Sequence, residues 1–90
     1  MFQIKVFVTN LAMYNEGDLV GGWLTLPAEN DDIHVFMDNV VKISACGDDY
    51  FLTDWEDDGV MGLCEDLGVD EYSNVFELSE RLKELNDRIG

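Results

Sequence analysis

A net charge of −15 on ninety residues limits what this chain can fold into more than any other feature. Twenty Asp and Glu stand against five Lys and Arg and a single His. Their mutual repulsion opposes compaction, and acidity on this scale commonly accompanies disorder. The rest of the composition opposes that outcome. Hydrophobic residues make up 47% of the chain and aromatic residues 11%, with one proline. Five Phe, three Tyr and two Trp supply enough apolar surface for a core. The expectation is therefore a folded, strongly anionic domain, at a length that suits one core.

The same numbers exclude several classes. Binding nucleic acid through its phosphates needs clustered Lys and Arg, which this chain lacks. A bilayer span needs roughly 18 consecutive apolar residues, and no such run is present. MFQIKVFVTN has no basic stretch followed by an uninterrupted apolar one, so no export signal is read and a cytoplasmic protein is expected. Cys46 and Cys64 then read as reduced thiols. With His34 the only histidine, zinc is not expected.

Hydrophobic periodicity outlines the elements. QIKVFVT (3–9) alternates, with Ile4, Val6 and Val8 on one side and Lys5, Phe7 and Thr9 on the other, which predicts a strand. Residues 10–17 read as a loop. DLVGGWLTL (18–26) predicts a second strand, ended by Pro27, whose Gly21-Gly22 pair signals a bulge or a close backbone approach. Ile33, Phe36, Met37, Val40 and Val41 form one apolar helical face, predicting a helix over about 29–44 with Asn30 as its N-cap and Ala45-Cys46-Gly47 as its end. YFLTDWE (50–56) predicts a third strand, with a turn at 57–59. Residues 60–72 read as a short helix or an irregular link. From Ser73, as N-cap, a second helix runs to about Ile89; its Val75, Leu78, Leu82, Leu85 and Ile89 make two heptads of an apolar seam. So short a seam must dock on the rest of the chain or on a partner, a second copy included. The fold class is α+β: a three-stranded antiparallel sheet with one packed helix (β-β-α-β, residues 1–59), then a link and a C-terminal helix (60–90).

The acids concentrate in the first 72 residues: Glu16, Asp18, Glu29, Asp31, Asp32, Asp38, Asp48, Asp49, Asp54, Glu56, Asp57, Asp58, Glu65, Asp66, Asp70 and Glu71. Few have a base at i+4. Solubility asks for a net charge of only about 2 to 8 on a small domain. Fifteen charges match roughly 25 Å of duplex DNA, which carries one per about 1.7 Å. A firm array of carboxylates at that density could fill a protein's DNA-binding groove. Salt adaptation, or some other basic protein partner, accounts for the charge equally well.

Residues 7–27 narrow the choice. FVTNLAMYNEGDLVGGWLTLP runs from a strand into NL-x-x-YNEG-x-LVG-x-W, then a strand and a proline. This resembles the opening of the ArdA antirestriction family, proteins of mobile elements and phages that imitate DNA. Asn10, Leu11, Tyr14, Asn15, Gly17, Leu19, Gly21 and Trp23 carry the match. YFLTDWE resembles the family's Y-x-I-x-D-Y-E strand, and VDEYSNVFELSERLKEL (69–85) the start of its second domain. The resemblance spans nearly the whole chain and makes it a shortened member. It implies an inhibitor, not an enzyme, that occupies the DNA-binding groove of a type I restriction–modification enzyme, with the sixteen acids as phosphate mimics. A CRISPR effector, or an interaction module docking through the C-terminal seam, is the alternative. No cofactor is implied.

Other residues have plainer readings. Asn10, Tyr14, Asn15 and Gly17 are expected to shape the loop, with Tyr14 covering the sheet. Trp23 and Trp55 are expected in the core. DWEDDGVMGLCE (54–65) loosely fits a calcium-loop template, with Glu56 at its third position and Gly62 at its ninth, and reads better as an acidic turn after a strand. His34 falls on the polar flank of its helix. No nucleophile–base arrangement and no phosphate loop is legible.

Overall fold

The computed structural model describes residues 2–43 and 50–89. Strand β1 (Gln3–Asn10) is the centre of an antiparallel sheet ordered β2-β1-β3. Strand β2 (Gly21–Leu26) pairs with it on one side, matching Ile4 to Leu26 and Val6 to Leu24. Strand β3 (Tyr50–Asp58) pairs on the other, matching Ile4 to Asp57 and Val6 to Trp55. The alternation behaves as expected: Ile4, Val6, Val8, Leu24, Leu26 and Leu52 are buried on one face. The register slips by one residue between Phe7 and Val8, where Thr53 is the extra residue and its hydroxyl lies 2.9 Å from that of Thr9.

Between β1 and β2 the chain is a short helix, α1 (Leu11–Asn15), not the loop expected, and the strand begins at Gly21 instead of 18. Asn10 explains the helix. Its Oδ1 accepts the Met13 backbone N–H at 3.0 Å, satisfying a donor the helix leaves unpaired. Its Nδ2 donates to the Val41 carbonyl at 3.0 Å, tying this corner to the helix across the core. Gly17 then turns the chain at φ 93°.

Helix α2 (Asn30–Phe36) widens into a π turn over Met37–Val41. Its N-cap is Glu29, without a side-chain bond, and the expected cap Asn30 is the first helical residue. The face is as predicted in part: Ile33, Met37 and Val41 are buried and Phe36 is half-buried, but Val40 is exposed. The π turn closes on Lys42 in the left-handed conformation (φ 62°), with the Ile43 N–H reaching back to the Met37 carbonyl. The expected helix end at Ala45-Cys46-Gly47 lies outside the described residues.

The ambiguous stretch contains α3 (Leu63–Leu67), bounded by left-handed Gly62 and Gly68. Helix α4 (Val75–Ile89) follows. Asn74, not Ser73, caps it: Asn74 Oδ1 accepts the N–H of Phe76 (2.8 Å) and of Glu77 (3.2 Å). Ser73 instead closes a turn with Asp70. Asn74→Ala should cost about 1 kcal/mol; chemical denaturation of the two proteins measures it.

Val75, Leu78 and Leu82 are buried in the same cluster as the sheet and α2, while Leu85 is half-buried against it. Three of the seam's residues are thus taken up within this chain and do not present to a partner helix. Polar contacts fix the helix as well. Buried Ser79 donates to the Ala28 carbonyl (2.8 Å) and accepts its N–H (3.0 Å). Asn86 brackets the Phe2 backbone in the same reciprocal way. Arg81 donates to the Leu67 carbonyl at 3.0 Å. The body measures 43 × 24 × 17 Å.

Candidate functional site

Burial places the acids first. Every described Asp and Glu is exposed except Asp58, which is half-buried. Such placement follows from the cost of dehydrating an unpaired charge. Among the described residues, ion pairs form only at Lys83, which lies 3.6 Å from Glu29 and 3.9 Å from Glu80. The remaining described carboxylates have no cationic neighbour at that range.

They are carried by α2, β3, α3, α4 and the connecting segments, and none lies on β1, β2 or within α1. Glu16 and Asp18 follow α1, and Glu29, Asp31 and Asp32 crowd the start of α2, with Asp38 in its π turn. In the first turn of α2 the helix dipole favours Asp31 and Asp32. Asp54, Glu56 and Asp58 alternate along β3, opposite Phe7, Lys5 and Gln3 on the open face of the sheet. Glu65 and Asp66 lie on α3, and Asp70 and Glu71 in the turn that follows. Asp48 and Asp49 lie outside the described residues. The acids predicted as one site are thus spread over α2, β3, α3 and the segments between elements, with β3 giving the most regular row.

Asp57 differs from its neighbours. Its carboxylate accepts the backbone N–H of Gly62 (2.7 Å) and of Cys64 (2.8 Å). The Cys64 N–H, then that of Gly62, holds its carboxyl below the usual value of 3.8. This is why the acidic stretch turns where it does: the carboxylate folds residues 58–64 around itself, while Asp54 and Glu56 belong to the extended strand. Among the described residues no group of His, Cys, Asp or Glu is placed to hold a metal ion. The Cys64 thiol is buried and free, and burial, with Asp57 beside it, pushes its pKa up to about 12.

A carboxyl lowered on folding contributes stability above its unfolded value and loses it as pH falls through the folded one. Asp57→Asn should therefore lower the melting temperature at pH 7, with the gap to the parent protein closing as pH drops below 4. The comparison at each pH cancels the general relief of repulsion on protonating the other acids.

The open sheet face also carries aromatic side chains. Trp23 is 44% exposed instead of buried in the core, because antiparallel pairing sets it opposite Phe7, which faces away from the core. Their rings meet edge to face with centroids 5.4 Å apart. Tyr14 packs edge to face on Phe51 at 5.2 Å but keeps 47% of its surface in solvent. Trp55 is half-buried against the core. His34 is exposed and leans on Phe76. The signal for Trp23 was present in the sequence: it alternates with Leu24 and Leu26, which supply the core side of β2.

A small α+β protein whose surface is dominated by solvated, unpaired carboxylates is the class defined by these features. The family model described as antirestriction protein (ArdA) matches residues 6–89. The chain belongs to the ArdA family of antirestriction proteins, as its opening motif implied. Membership carries antirestriction as its general function, inhibition instead of catalysis as its mode, and restriction enzymes as the general class of partner. No curated protein and no solved structure matches the chain. No helix among the described residues is long and apolar enough to cross a membrane.

Proposed function

We propose that this protein inhibits a type I restriction–modification enzyme by DNA mimicry, its carboxylates taking the place of phosphates in the enzyme's DNA-binding groove. It would act in the cytoplasm of a bacterial host. One observation carries this reading: outside the contacts of Lys83, the described carboxylates stand in water without cationic partners. Surface charges left unpaired repel one another and cost stability; a cationic groove converts that cost into binding. The density supports the reading, though not as the 25 Å match that the charge count alone suggests. Over the 43 Å length, fifteen net charges amount to about one per 3 Å, near the spacing along a single DNA strand.

The test is cleavage of unmethylated DNA by a purified type I enzyme with increasing amounts of this protein, beside a CRISPR effector. Inhibition of the first, relieved by excess duplex, supports the reading. Inhibition that excess duplex does not relieve, or of the second alone, sinks it. Because the charge is spread, single changes such as Asp31→Asn or Glu65→Gln should each weaken inhibition less than about fivefold, as expected for exposed charge pairs.

A further inference from the structure

The strongest unassigned feature is the face of the sheet that the described residues leave uncovered. Three cross-strand rows compose its centre. Phe7 on β1 lies between Trp23 on β2 and Asp54 on β3, Lys5 between Thr25 and Glu56, and Gln3 meets Asp58. Directly opposed side chains on one face sit about 4.5–5.5 Å apart at Cβ. A half-exposed indole and two exposed carboxylates thus lie on one face of the sheet, across Phe7 and Lys5 of the central strand. Asp54 is held in place by a hydrogen bond of 2.8 Å to the Trp55 N–H.

Charge decides what can cover this face. A second copy would bring Asp54, Glu56 and Asp58 against their equivalents with only Lys5 to offset them, a net like-charge contact that costs association. A neutral apolar partner would dehydrate the same acids without compensation. A cation suits both components, and one cation suits them best. Guanidinium is planar, weakly hydrated, stacks on an aromatic ring and forks its N–H groups onto a carboxylate, whereas ammonium is compact and strongly hydrated.

We propose that this face, at Trp23 with Asp54 and Glu56, receives an arginine side chain of a cationic protein partner. The inference rests on the reading of a cationic target and adds a preferred contact within it. The aromatic pair supplies a contact that a phosphate surface lacks, and so selects arginine over lysine.

Octa-arginine and octa-lysine peptides, titrated into the protein in 150 mM salt and followed by NMR, test this. Octa-arginine should bind about two- to fivefold tighter than octa-lysine, the range of an exposed cation–π contact, and shift the Trp23 indole N–H more than that of Trp55. Trp23→Ala should remove the preference without weakening octa-lysine. Trp23→Leu, which keeps an apolar contact on Phe7 without the π face, should do the same. Equal binding of the two peptides, unchanged by either substitution, would overturn this proposal and leave the carboxylate surface standing as a phosphate mimic. If neither peptide binds even at 20 mM salt, both readings fall.

Discussion

Raising salt from 50 to 200 mM should weaken binding to the target enzyme by at least tenfold. A protein that neutralises six to ten phosphates of duplex DNA loses about 10³- to 10⁵-fold over that range, because binding releases condensed counterions. This surface is less dense than a duplex, at about one net charge per 3 Å of length against one per 1.7 Å. It condenses fewer ions, so the expected loss lies below the duplex range while remaining steep. Binding isotherms at four salt concentrations give the slope of log K against log salt. A slope near zero would show that the carboxylates are not the recognised feature, and the proposed mimicry would fail with it.

Gly21→Ala should destabilise the fold by about 3 kcal/mol, near the upper end for overpacking. A Cβ at Gly21 would stand 2.0 Å from the Val8 carbonyl oxygen and 3.0 Å from Thr9 Cα. Both obstacles are backbone of the central strand, in the row where Thr9 pairs with Gly21, so β2 must move away from β1. Domains of this size hold only about 5–15 kcal/mol in reserve, and 3 kcal/mol corresponds to a fall in melting temperature of roughly 12–24 °C. Gly22→Ala is the matched control. Its Cβ would meet Val40 Cγ1 at 2.8 Å, a side chain that can rotate aside. A thermal melt in which the two variants fall equally would show that backbone approach at Gly21 is not the cause.

The close backbone approach at Gly21 was readable in the pair of glycines itself, since little else tolerates so near a neighbouring backbone. Other local signals misled for physical reasons. Asn30 and Ser73 both carry good capping side chains, yet capping depends on which residue holds the extended backbone just before the first turn. Glu29 and Asn74 hold those positions, and only Asn74 uses its side chain there. The loop at 10–17 became a helix because Asn10 is buried between two elements and satisfies both, through bonds to Met13 nearby and to Val41 across the core. A pairing 31 residues apart has no local trace. Asp57 looked like its acidic neighbours and caps α3 instead, because the turn after β3 brings two backbone N–H groups onto its carboxylate.

By itself the sequence determined the anionic surface, the apolar phase of β1, most of the apolar face of the two longer helices, and the ArdA opening motif. Those depend on residue type and on periods of two and 3.6, which survive without any knowledge of what packs where. Tertiary structure alone decided that Val75, Leu78 and Leu82 are consumed within this chain, and that Trp23, Phe7 and Asp54 form one row across an open face. The first follows from how α4 docks on the core and the second from strand order and pairing register, and both are set by long-range contacts that a linear pattern does not contain.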